Sequence, residues 1–540
     1  MNKIKIILAI AALFLILNVY SQEEIIPVSF KYNHLSWNVP RIELPKLDHQ
    51  QLIDEDQVDR LQGEPLRVGV MQNLYYNMNT CGKVDVLPDG GKLWRLSLQS
   101  PGARSVDAHI TNINIPDGAC FYIYDVNRNA VVEKITRKEV TENNAYFTDG
   151  VPGDEIIIEY YEPMNVDFSG DFDIAQVGHI YRASPFAKGY HADSEGDCHI
   201  DVSCDEGEGW SDQINSVVFL KMSTSAAVYF CSGAMVNNVR SDGTPYILSA
   251  DHCAVPGATY RFYFQYHADA CGSNIGGPGF STVGATIVAS GGFSSSSDFM
   301  LMEITGTINS NVLANLYLSG WDVSGATPTA GACIHHPGGD FKKISIPQYV
   351  TAGTGVYARY WKTTWYGLTN NKGVTEGGSS GSPLFDGNHR IVGQLFGGES
   401  YCETPQKPDY YGKLSYSWNN NNTSKDSRKL KSWLDPDNTG IKVINGAYMK
   451  QLVGIKESQV KNTIKTYPNP SNGNVTVDLG DRVGTVKCHV FDIVGKTVYT
   501  SEFQVSDKNT LDLSFLDNGI YVIEIKDGQS VQTSKLIISK

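Results

Sequence analysis

The residues of this chain best suited to chemistry are a serine, a histidine and an aspartate that lie far apart in sequence. Ser380 lies in the run Gly-Ser-Ser-Gly-Ser-Pro at 378–383, where flanking glycines favour a tight turn that exposes the hydroxyl. His252 follows an apolar run, and Asp298 lies between them in chain order. A hydroxyl nucleophile, an imidazole base and an orienting carboxylate are the three groups of serine-based acyl transfer. The pattern predicts hydrolysis through a covalent serine intermediate.

Other polar residues near these three admit alternative interpretations. Asp298 precedes the apolar run 299–302, so it could instead cap the edge of a buried strand. Ser382 lies two residues beyond the nucleophile and is interpreted as a turn hydroxyl. His335 and His336 are adjacent, and neighbouring residues on a strand point to opposite faces. Because no third ligand is evident, we interpret both histidines as structural and expect neither a metal nor a cofactor.

Length and charge narrow the class of protein. A chain of 540 residues is expected to form several domains rather than one. The formal net charge of −14 argues against nucleic acid as a partner and favours solubility. No segment beyond the N-terminus is apolar enough to span a membrane, so we expect a soluble product, acting as a monomer on proteins and peptides.

The N-terminus has the composition of an export signal. Lys3 and Lys5 precede an apolar stretch over 6–19, and cleavage is expected after Ser21. That stretch is shorter than the roughly 20 residues that a membrane-spanning helix requires. Residues 1–21 are therefore predicted to be a signal peptide.

Ten cysteines in an exported chain predict disulfides. Cys231 and Cys253 bracket the segment that carries His252, so a bridge between them would hold the base beside its own barrel. Such a bridge typically stabilises a fold by about 2–4 kcal/mol. Cys333 lies in an apolar setting and is interpreted as a small buried side chain.

Alternating apolar and polar residues predict an all-β chain with distinct pieces. Residues 22–188 alternate in several runs separated by Pro/Gly turns and predict a β-sandwich, in which we find no catalytic constellation. Residues 189–436 contain the whole serine constellation among further strand-like runs. Residues 437–460 are interpreted as a linker, and 461–540 as a small, separately folded β domain.

Several long motifs of the central piece resemble the bacterial lysyl endopeptidases. The resemblance covers essentially all of 189–436 and implies a chymotrypsin-like double β-barrel, with 22–188 as the family's pro-region. The motifs that carry it are Asp-Cys-His-Ile-Asp-Val-Ser-Cys at 197–204, Asp-His-Cys at 251–253, Trp-Asp at 321–322, Ile-His-His-Pro at 334–337, the glycine-rich run 373–383 and Trp-Leu-Asp-Pro at 433–436.

The resemblance implies a role for each residue of the constellation. Ser380 is the expected nucleophile, His252 the general base and then acid, and Asp298 the carboxylate that holds the imidazole tautomer. The backbone N–H groups of Gly378 and Ser380 are the expected oxyanion hole. The resemblance also leads us to expect four disulfides, one of them in the pro-region: Cys198–Cys402, Cys204–Cys271, Cys231–Cys253 and Cys81–Cys120.

Cleavage after a cationic side chain requires an anion in the pocket that binds it, because a buried unpaired ammonium is very costly. The candidates are Asp409 and Glu376, and the family pattern places its pocket carboxylate at Asp409. Gly397 and Gly398 are expected to form the wall along which the substrate strand lies. An aspartate after a proline is also common in turns, which is the alternative for Asp409.

One position departs from the lysyl endopeptidase pattern. The family carries a histidine, stacked on a tryptophan near the catalytic histidine, where this chain has Phe396. Trp361 and Trp365 are the candidate counterparts of that tryptophan. The departure bears on the pH behaviour and on the preference for lysine over arginine.

A second departure, from pancreatic-type proteases, concerns activation. Those enzymes carry an aspartate before the catalytic serine, which captures the new N-terminal amine, whereas this chain has Ser379. Activation is therefore expected to require removal of an inhibitory pro-region. The bond Lys188–Gly189 lies where a self-cleaving lysyl enzyme would cut, and Arg182 is the alternative site.

The last 80 residues resemble the C-terminal sorting domain of the type IX secretion system of Bacteroidetes. The motifs are Tyr-Pro-Asn-Pro at 467–470, Val-Phe-Asp-Ile-Val-Gly-Lys at 490–496 and Gly-Ile-Tyr at 519–521. The resemblance implies that the secretion machinery is a partner and that the product reaches the cell surface or the medium.

The sequence is compatible with three functions. A lysine-directed endopeptidase needs the triad and a pocket carboxylate, both of which are present in the sequence. A protease of the same fold with another specificity, such as a Lys/Arg or a glutamyl enzyme, would differ in the pocket. An inactive surface-displayed binding protein would be expected to have lost Ser380 or His252.

Overall fold

The computed structural model describes residues 25–540 apart from short gaps at 62–63, 141–142, 183–195, 278–279, 367–371, 421–422, 453–464, 480–484, 493–495, 505–508 and 527–530. The predicted signal peptide and the Lys188–Gly189 bond lie outside the described residues. The chain divides into two compact units, the first ending at Val453 and the second beginning at Gly454. Strands dominate both units, which confirms the all-β prediction.

The upstream region folds into eleven strands among the described residues, as its apolar runs predicted. These strands are β1 (Arg41–Glu43), β2 (Leu66–Asn77), β3 (Lys83–Val86), β4 (Lys92–Gln99), β5 (Ser105–Asn114), β6 (Cys120–Asp125), β7 (Val131–Thr136), β8 (Tyr146–Phe147), β9 (Val151–Pro152), β10 (Glu155–Glu162) and β11 (Asp171–Ile180).

Two sheets of this region enclose a common core. One sheet has the order β1-β4-β10-β6-β7, with β3 beside β4, and the other is formed by β2, β11 and β5 with the short strands β8 and β9. Trp94 from the first sheet meets Phe172 from the second edge to face, with ring centroids 5.1 Å apart. The predicted β-sandwich is therefore present.

The region also contains a helix that strand periodicity did not predict, α1 (His49–Leu61). Its sequence is polar on most positions, so little in the local pattern favours a buried face. Tertiary contacts anchor it through Asp56, whose carboxylate accepts hydrogen bonds from Arg67 Nε (2.6 Å), Tyr181 Oη (2.9 Å) and Arg182 Nη2 (2.7 Å).

The predicted Cys81–Cys120 disulfide is wrong, since both cysteines are free thiols. Cys120 lies on β6 and packs with Tyr122 and Tyr124 on the outer face of its sheet. Cys81 packs against the core between the two sheets. The Cys120 thiol thus lies on the outer side of its sheet and the Cys81 thiol on the core side, so the two sulfurs cannot meet.

The central region supplies the strands of two barrels. They are β12 (Ile200–Asp201), β13 (Val217–Ser223), β14 (Ala227–Val236), β15 (Tyr246–Ser249), β16 (Thr259–Phe264), β17 (His267–Ala268), β18 (Gly276–Gly277), β19 (Phe280–Val283), β20 (Ala285–Gly291), β21 (Phe299–Ile304), β22 (Tyr317–Leu318), β23 (Trp321–Asp322), β24 (Gly331–His335), β25 (Lys343–Ser345), β26 (Pro347–Ala352), β27 (Tyr360–Trp365), β28 (Pro383–Asp386), β29 (Ile391–Gly398), β30 (Asp409–Lys413), β31 (Val443–Ile444) and β32 (Ala447–Tyr448).

Short helices connect these strands. They are α2 (Ser211–Ile214), α3 (Ser310–Asn315), α4 (Leu414–Asn419), α5 (Lys431–Leu434) and α6 (Met449–Leu452). Among the described residues, none of the helices has the length and apolar character needed to cross a membrane.

The central strands form two half-molecules of chymotrypsin-like type, as predicted. The first contains β19-β16-β13-β14 and continues from β14 through β15 and β21 to β20. The second runs β12-β25-β24-β28-β29-β30-β27-β26. A shared core joins the halves, in which Trp321 packs on Trp418 with ring centroids 4.6 Å apart.

The sandwich and the first half-molecule share one continuous sheet. Strand β2 of the upstream region pairs antiparallel with β14 of the central region, so the sheet order runs β13-β14-β2-β11. The upstream region is therefore joined to the central one through backbone hydrogen bonds as well as side chains.

The predicted linker over 437–460 needs correction in its first part. Val443 and Ile444 pair with β23, and Ala447 and Tyr448 pair with β22, after which α6 begins. Met449 is buried in the core of the first half-molecule. Backbone pairing and the burial of Met449 attach residues 443–452 to the barrels, so these residues are not a linker.

The C-terminal unit is a small β-sandwich, as predicted. A three-stranded sheet β33-β34-β37 and a four-stranded sheet β36-β35-β38-β39 enclose one core, which includes the free Cys488. The strands are β33 (Lys465–Tyr467), β34 (Asn474–Asp478), β35 (Thr485–Phe491), β36 (Thr497–Gln504), β37 (Asn509–Asp512), β38 (Gly519–Lys526) and β39 (Val531–Ile538).

The central region contains the three other expected disulfides. They join Cys198 to Cys402, Cys204 to Cys271 and Cys231 to Cys253. Cys333 is a fully buried free thiol in the core of the second half-molecule, as its apolar neighbours predicted.

Candidate active site

The histidine and the aspartate of the constellation lie in direct contact. His252 sits in a single 3-10 turn, Asp251–Cys253, that follows β15, and Asp298 immediately precedes β21. The Asp298 carboxylate contacts His252 twice, with Oδ2 2.7 Å from the ring Nδ1 and Oδ1 3.0 Å from the backbone N–H. This arrangement fixes the ring and leaves Nε2 as the nitrogen available to a hydroxyl.

The backbone conformation at Asp298 directs the side chain toward His252 rather than to the edge of the strand that follows. Its φ of +57° is a left-handed conformation that an aspartate adopts at some cost. Gln394 holds this turn by donating from Nε2 to the carbonyl oxygens of Ser297 (2.8 Å) and Asp298 (3.2 Å). The side chain is thereby directed at His252 and is only 1% exposed.

The serine turn is held by bonds to both half-molecules. The carbonyl oxygen of Ser380 accepts the N–H of Ser232 on β14 at 2.8 Å, and Gly381 N donates to Leu395 O on β29 at 2.8 Å. Gly378 and Gly381 have φ of +90° and +81°, so both glycines supply conformations that other residues rarely adopt. The nucleophile therefore lies at the junction of the two half-molecules.

Two backbone donors of this turn are free to bind a ligand. Among the described residues, no acceptor takes a hydrogen bond from the N–H of Gly378 or of Ser380. The carbonyls that share peptide planes with these two donors are both held: Gly377 O accepts the N–H of Gly338 at 2.6 Å, and Ser379 O accepts the N–H of Ser382 at 3.0 Å. Free N–H groups held in this way are the donors that an oxyanion requires.

The nucleophile and the base share a cavity with the predicted pocket residues. The cavity has a volume of about 800 Å³. His252, Ser380, Glu376, Asp409 and the glycines Gly397 and Gly398 all line it. The cavity thus brings Ser380 and His252 together with the four pocket candidates, and Asp298 adjoins it through its contact with His252.

Asp409 is buried at this cavity and carries an unusual set of donors. Its Oδ2 accepts hydrogen bonds from Trp365 Nε1 (2.6 Å), Thr375 Oγ1 (2.7 Å) and Ser400 Oγ (2.5 Å). Burial raises the pKa of Asp409, and these hydrogen bonds oppose that shift. No lysine or arginine among the described residues forms an ion pair with it, although it is only 1% exposed.

Glu376 reaches the same cavity but has partners of its own. Its Oε2 accepts the N–H of Gly196 at 3.1 Å and lies 3.4 Å from His199 Nε2. Burial alone would raise the pKa of Glu376. The hydrogen bond and charge of His199 outweigh burial, so the pKa is lowered. Glu376 therefore fastens the segment around 196–199 to the serine turn.

Phe396 lies against His252, with the two rings perpendicular and their centroids 6.2 Å apart. Its stacking partner is Phe293, at 4.7 Å and 18°. Neither tryptophan that the sequence suggested fills that role, because Trp361 donates to the Val392 carbonyl and Trp365 donates to Asp409. The stacked pair beside the base is two phenylalanines.

The neighbouring polar residues support the serine turn. His335 is fully buried between Ser379 Oγ (2.7 Å from Nδ1) and Ser345 Oγ (3.0 Å from Nε2). His336 places Nδ1 2.9 Å from the carbonyl of Asp340 and stacks on Tyr266. The two rings have separate partners, as the alternation of side chains along a strand predicts.

Electrostatics set the protonation of the base. Burial alone would lower the pKa of His252, but the charge of Asp298 and its hydrogen bond outweigh burial and raise it. Burial raises the pKa of Asp298 in turn, and its interaction with His252 acts in the opposite direction. When His252 takes up a proton, the Asp298 carboxylate therefore stabilises the resulting imidazolium.

Sequence reasoning missed several residues of the site. Thr375 and Ser400 are common polar residues without a local signal, and only folding brings them to Asp409. Glu64 and Leu66 of the upstream region also carry no local signal, yet folding places both in the lining of the active-site cavity.

The fold and this geometry define a chymotrypsin-like serine endopeptidase. Comparison with known families agrees. Residues 43–181 match the lysyl endopeptidase N-terminal domain and residues 192–412 the lysyl endopeptidase C-terminal domain, while 465–539 match a secretion system C-terminal sorting domain. The chain is thus a serine endopeptidase that belongs with the lysyl endopeptidases, and its sorting domain marks it for export to the cell surface or the medium.

Individual relatives are distant. A lysyl endopeptidase from Pseudomonas aeruginosa is 28% identical over 389 residues, which cover 65% of this chain and 80% of that protein. Among solved structures, the protease Anisep from Arthrobacter nicotinovorans is 16% identical and covers 37% of this chain and 91% of its own, with a TM-score of 0.30. A serine endoprotease from Yersinia pestis is 13% identical and covers 62% and 97%, with a TM-score of 0.28.

Proposed function

We propose that this protein cleaves peptide bonds on the carboxyl side of lysine and is made as an inactive precursor. The observation that carries the specificity is Asp409, a buried carboxylate without a cationic partner among the described residues, at the cavity of Ser380. A lysine side chain entering the cavity would supply the missing charge. The pairing would be strong because the surroundings are largely dehydrated.

The residues of the site have the following roles in this proposal. Ser380 Oγ attacks the carbonyl carbon of the lysine residue while His252 Nε2 takes its proton. The N–H groups of Gly378 and Ser380 bind the oxyanion, and His252 then protonates the departing amine. Water, activated by the same imidazole, hydrolyses the acyl-enzyme and restores Ser380.

The donors around Asp409 also bear on the choice among basic side chains. Three of them converge on Oδ2, while Oδ1 accepts only a long bond from Ser400 N at 3.3 Å. One oxygen is thus left for the substrate, which suits the point charge of an ammonium better than the two-pronged guanidinium. An enzyme that cleaves after both lysine and arginine is the second candidate, and a glutamyl specificity is disfavoured by the carboxylate.

The upstream region serves as the inhibitory pro-region in this proposal. Its residues Leu66, Arg67 and Arg182 line the cavity that holds Ser380. Ser379 forms a hydrogen bond with His335. It has no carboxylate with which to bind the amine of a new N-terminus. Removal of the pro-region is therefore the available route to activity.

The contacts of Arg182 favour Lys188 as the residue after which the precursor is cut. Arg182 donates to Asp56 from Nη2 at 2.7 Å and to the Arg67 carbonyl from Nε at 3.1 Å, so its charge is already engaged. Arg182 and Gly196, which flank the proposed cut, both line the active-site cavity. We expect the mature enzyme to begin near Gly189, and N-terminal sequencing of the secreted product would test this.

Export completes the proposal. Residues 1–21 would direct the chain across the inner membrane, and the type IX machinery would recognise the C-terminal unit and remove it. A chain truncated at 460 should accumulate inside the cell envelope. Normal secretion of that truncated chain would contradict the sorting role.

The specificity is tested with the Asp409→Asn variant and a panel of Lys, Arg and Glu peptides. Wild type should cleave after lysine, and the variant should lose lysyl cleavage far more than it loses a slow ester with a neutral side chain. Equal losses on both substrates would show that Asp409 is structural. Preferred cleavage after glutamate would overturn the assignment altogether.

A further inference from the structure

The pro-region places one strand along the edge of the protease barrel beside the nucleophile. Strand β2 runs antiparallel to β14, with Leu66 opposite Phe230 and Val70 opposite Ala227. An extended peptide that adds to a free sheet edge in this way is a common mode of peptide recognition.

The edge in question is part of the catalytic structure. Two residues after Phe230 on the same strand, Ser232 donates its N–H to the Ser380 carbonyl at 2.8 Å and its Oγ to the Gly378 carbonyl at 2.9 Å. The segment of β14 that pairs with β2 therefore begins at the rim of the active site.

The pro-region segment passes directly by the reactive groups. Glu64, Pro65 and Leu66 all line the cavity that holds His252 and Ser380. Leu66 also approaches the serine turn, since a Cβ added to Gly377 would lie 3.2 Å from Leu66 Cδ1.

The direction of this segment identifies the half of a substrate that it resembles. Residue numbers rise from Glu64 at the cavity to Val70 at the far end of the pairing, so the chain leaves the nucleophile in the N-to-C direction. The part of a substrate that follows the scissile bond leaves in that same direction. The acyl part instead requires the pocket of Asp409, which no cation of the described residues fills.

We infer that residues 65–70 bind along β14 as an uncleaved copy of a substrate's leaving-group half, with Glu64 in the position of the residue before the scissile bond. This inference rests on the proposed function. In the precursor the segment blocks the binding of peptides beyond the scissile bond, and Glu64 supplies no cation to the lysine pocket.

The identity of the residues nearest the nucleophile explains why the segment is not cut. A glutamate at position 64 would present a carboxylate to the buried Asp409, and like charges at a buried site are costly. Pro65 lacks an N–H and has a fixed φ, so it restricts the geometry of a bond preceding it. Strand β2 also continues into seven paired positions with β11, which would hold a severed end in place.

The decisive experiment converts the segment into a substrate. In the full-length chain with Lys188→Gln, which prevents normal maturation, Glu64→Lys and Pro65→Gly are introduced together. We expect a cut after residue 64, located by mass spectrometry, whose first-order rate constant does not change on dilution. Absence of that cut, or a rate that falls with dilution, would overturn the inference.

Matched variants isolate the cause. Glu64→Ala with Pro65→Gly gives the same backbone freedom without the lysine and should not be cut there. The Glu64→Lys, Pro65→Gly chain that also carries Ser380→Ala should stay intact, and cutting of that chain would assign the cleavage to another protease and overturn the inference.

A second measurement needs no change in the segment. The full-length Lys188→Gln chain should cleave a lysyl peptide with four residues after the lysine at least about a hundredfold more slowly than mature enzyme, because a tethered competitor acts at about millimolar effective concentration. Equal rates for the two proteins would overturn the inference.

The failure of this inference is separable from that of the proposed function. Mature wild-type enzyme is assayed on the same lysyl peptide in parallel. If it cleaves after lysine but the redesigned segment stays intact, only the leaving-group inference fails. If it does not cleave after lysine, the proposed specificity fails first.

Discussion

Gly398 lies so close to Asp409 that a Cβ on the glycine would stand 2.1 Å from the carboxylate Oδ1. The same Cβ would be 2.5 Å from the Asp409 Cα and from the carbonyl of Pro408, which are backbone atoms that cannot rotate away. The two residues face each other across β29 and β30. The pocket carboxylate can occupy its position only because its neighbour has no side chain.

Replacing Gly398 with alanine should therefore push the two strands apart and displace Asp409. We expect kcat/KM for a lysyl peptide to fall by about two orders of magnitude, as is usual when a catalytic or binding group moves by about 1 Å. Steady-state kinetics would measure the loss. Gly277→Ala is the control, since a Cβ there meets nothing within 4 Å, and an equal loss in that variant would contradict the argument.

Replacing Ser380 with alanine should lower kcat by roughly 10⁶, because the members of a triad act as a unit. Active-site titration and peptide hydrolysis by purified enzyme would establish the figure. Ser382→Ala is the matched control, as its hydroxyl lies two residues beyond the nucleophile. Substantial activity in Ser380→Ala would exclude it as the nucleophile.

The pH profile should report the raised pKa of His252. The imidazole acts as a base only when neutral, so activity is present above its pKa and is lost as the pH falls through it. Because the net shift is upward, the acidic limb of kcat/KM should lie above pH 6.5, the ordinary value for histidine. A limb at or below pH 6.5 for the mature enzyme would contradict this prediction.

Asp298→Asn provides the check on the cause of that shift. It removes the main group that raises the pKa, so the limb should move downward, and kcat should fall by about 10⁴ through the wrong imidazole tautomer. Asp251→Asn removes a weaker charge near the same ring and should move the limb less.

The interface between pro-region and protease should depend on a buried ion pair. Lys221 of β13 places Nζ 2.7 Å from Asp107 Oδ2, with the two side chains only 3% and 1% exposed. Lys221→Met, in the full-length Ser380→Ala chain, should reduce the free energy of unfolding by about 3–5 kcal/mol because it strands a buried carboxylate. Urea unfolding would measure the change.

An exposed ion pair supplies the control for that measurement. Lys407 lies 3.3 Å from Glu399 with both side chains more than half exposed. Lys407→Met should cost no more than about 1 kcal/mol. Similar losses in the two variants would show that burial does not strengthen the Lys221 contact.

The sequence by itself determined the chemistry of the nucleophile and the class of fold. A glycine-flanked serine fixes its own turn through local φ preferences, and alternating side chains specify strands within a few residues. Both signals are local, so they can be recognised without knowing the partner of any strand. The order of histidine, aspartate and serine then defined the constellation.

Only the tertiary structure decided which groups meet. The residues alone left both Asp409 and Glu376 as candidates, and only the resemblance favoured Asp409. Folding places Glu376 beside His199, whereas Asp409 has no cationic partner among the described residues. Cys81 and Cys120 are near in sequence, yet the faces of one sheet separate them. The pairing of Leu66 with Phe230 spans more than 160 residues, and no local pattern encodes it, because such contacts are selected by the packing of whole sheets rather than by the preferences of single residues.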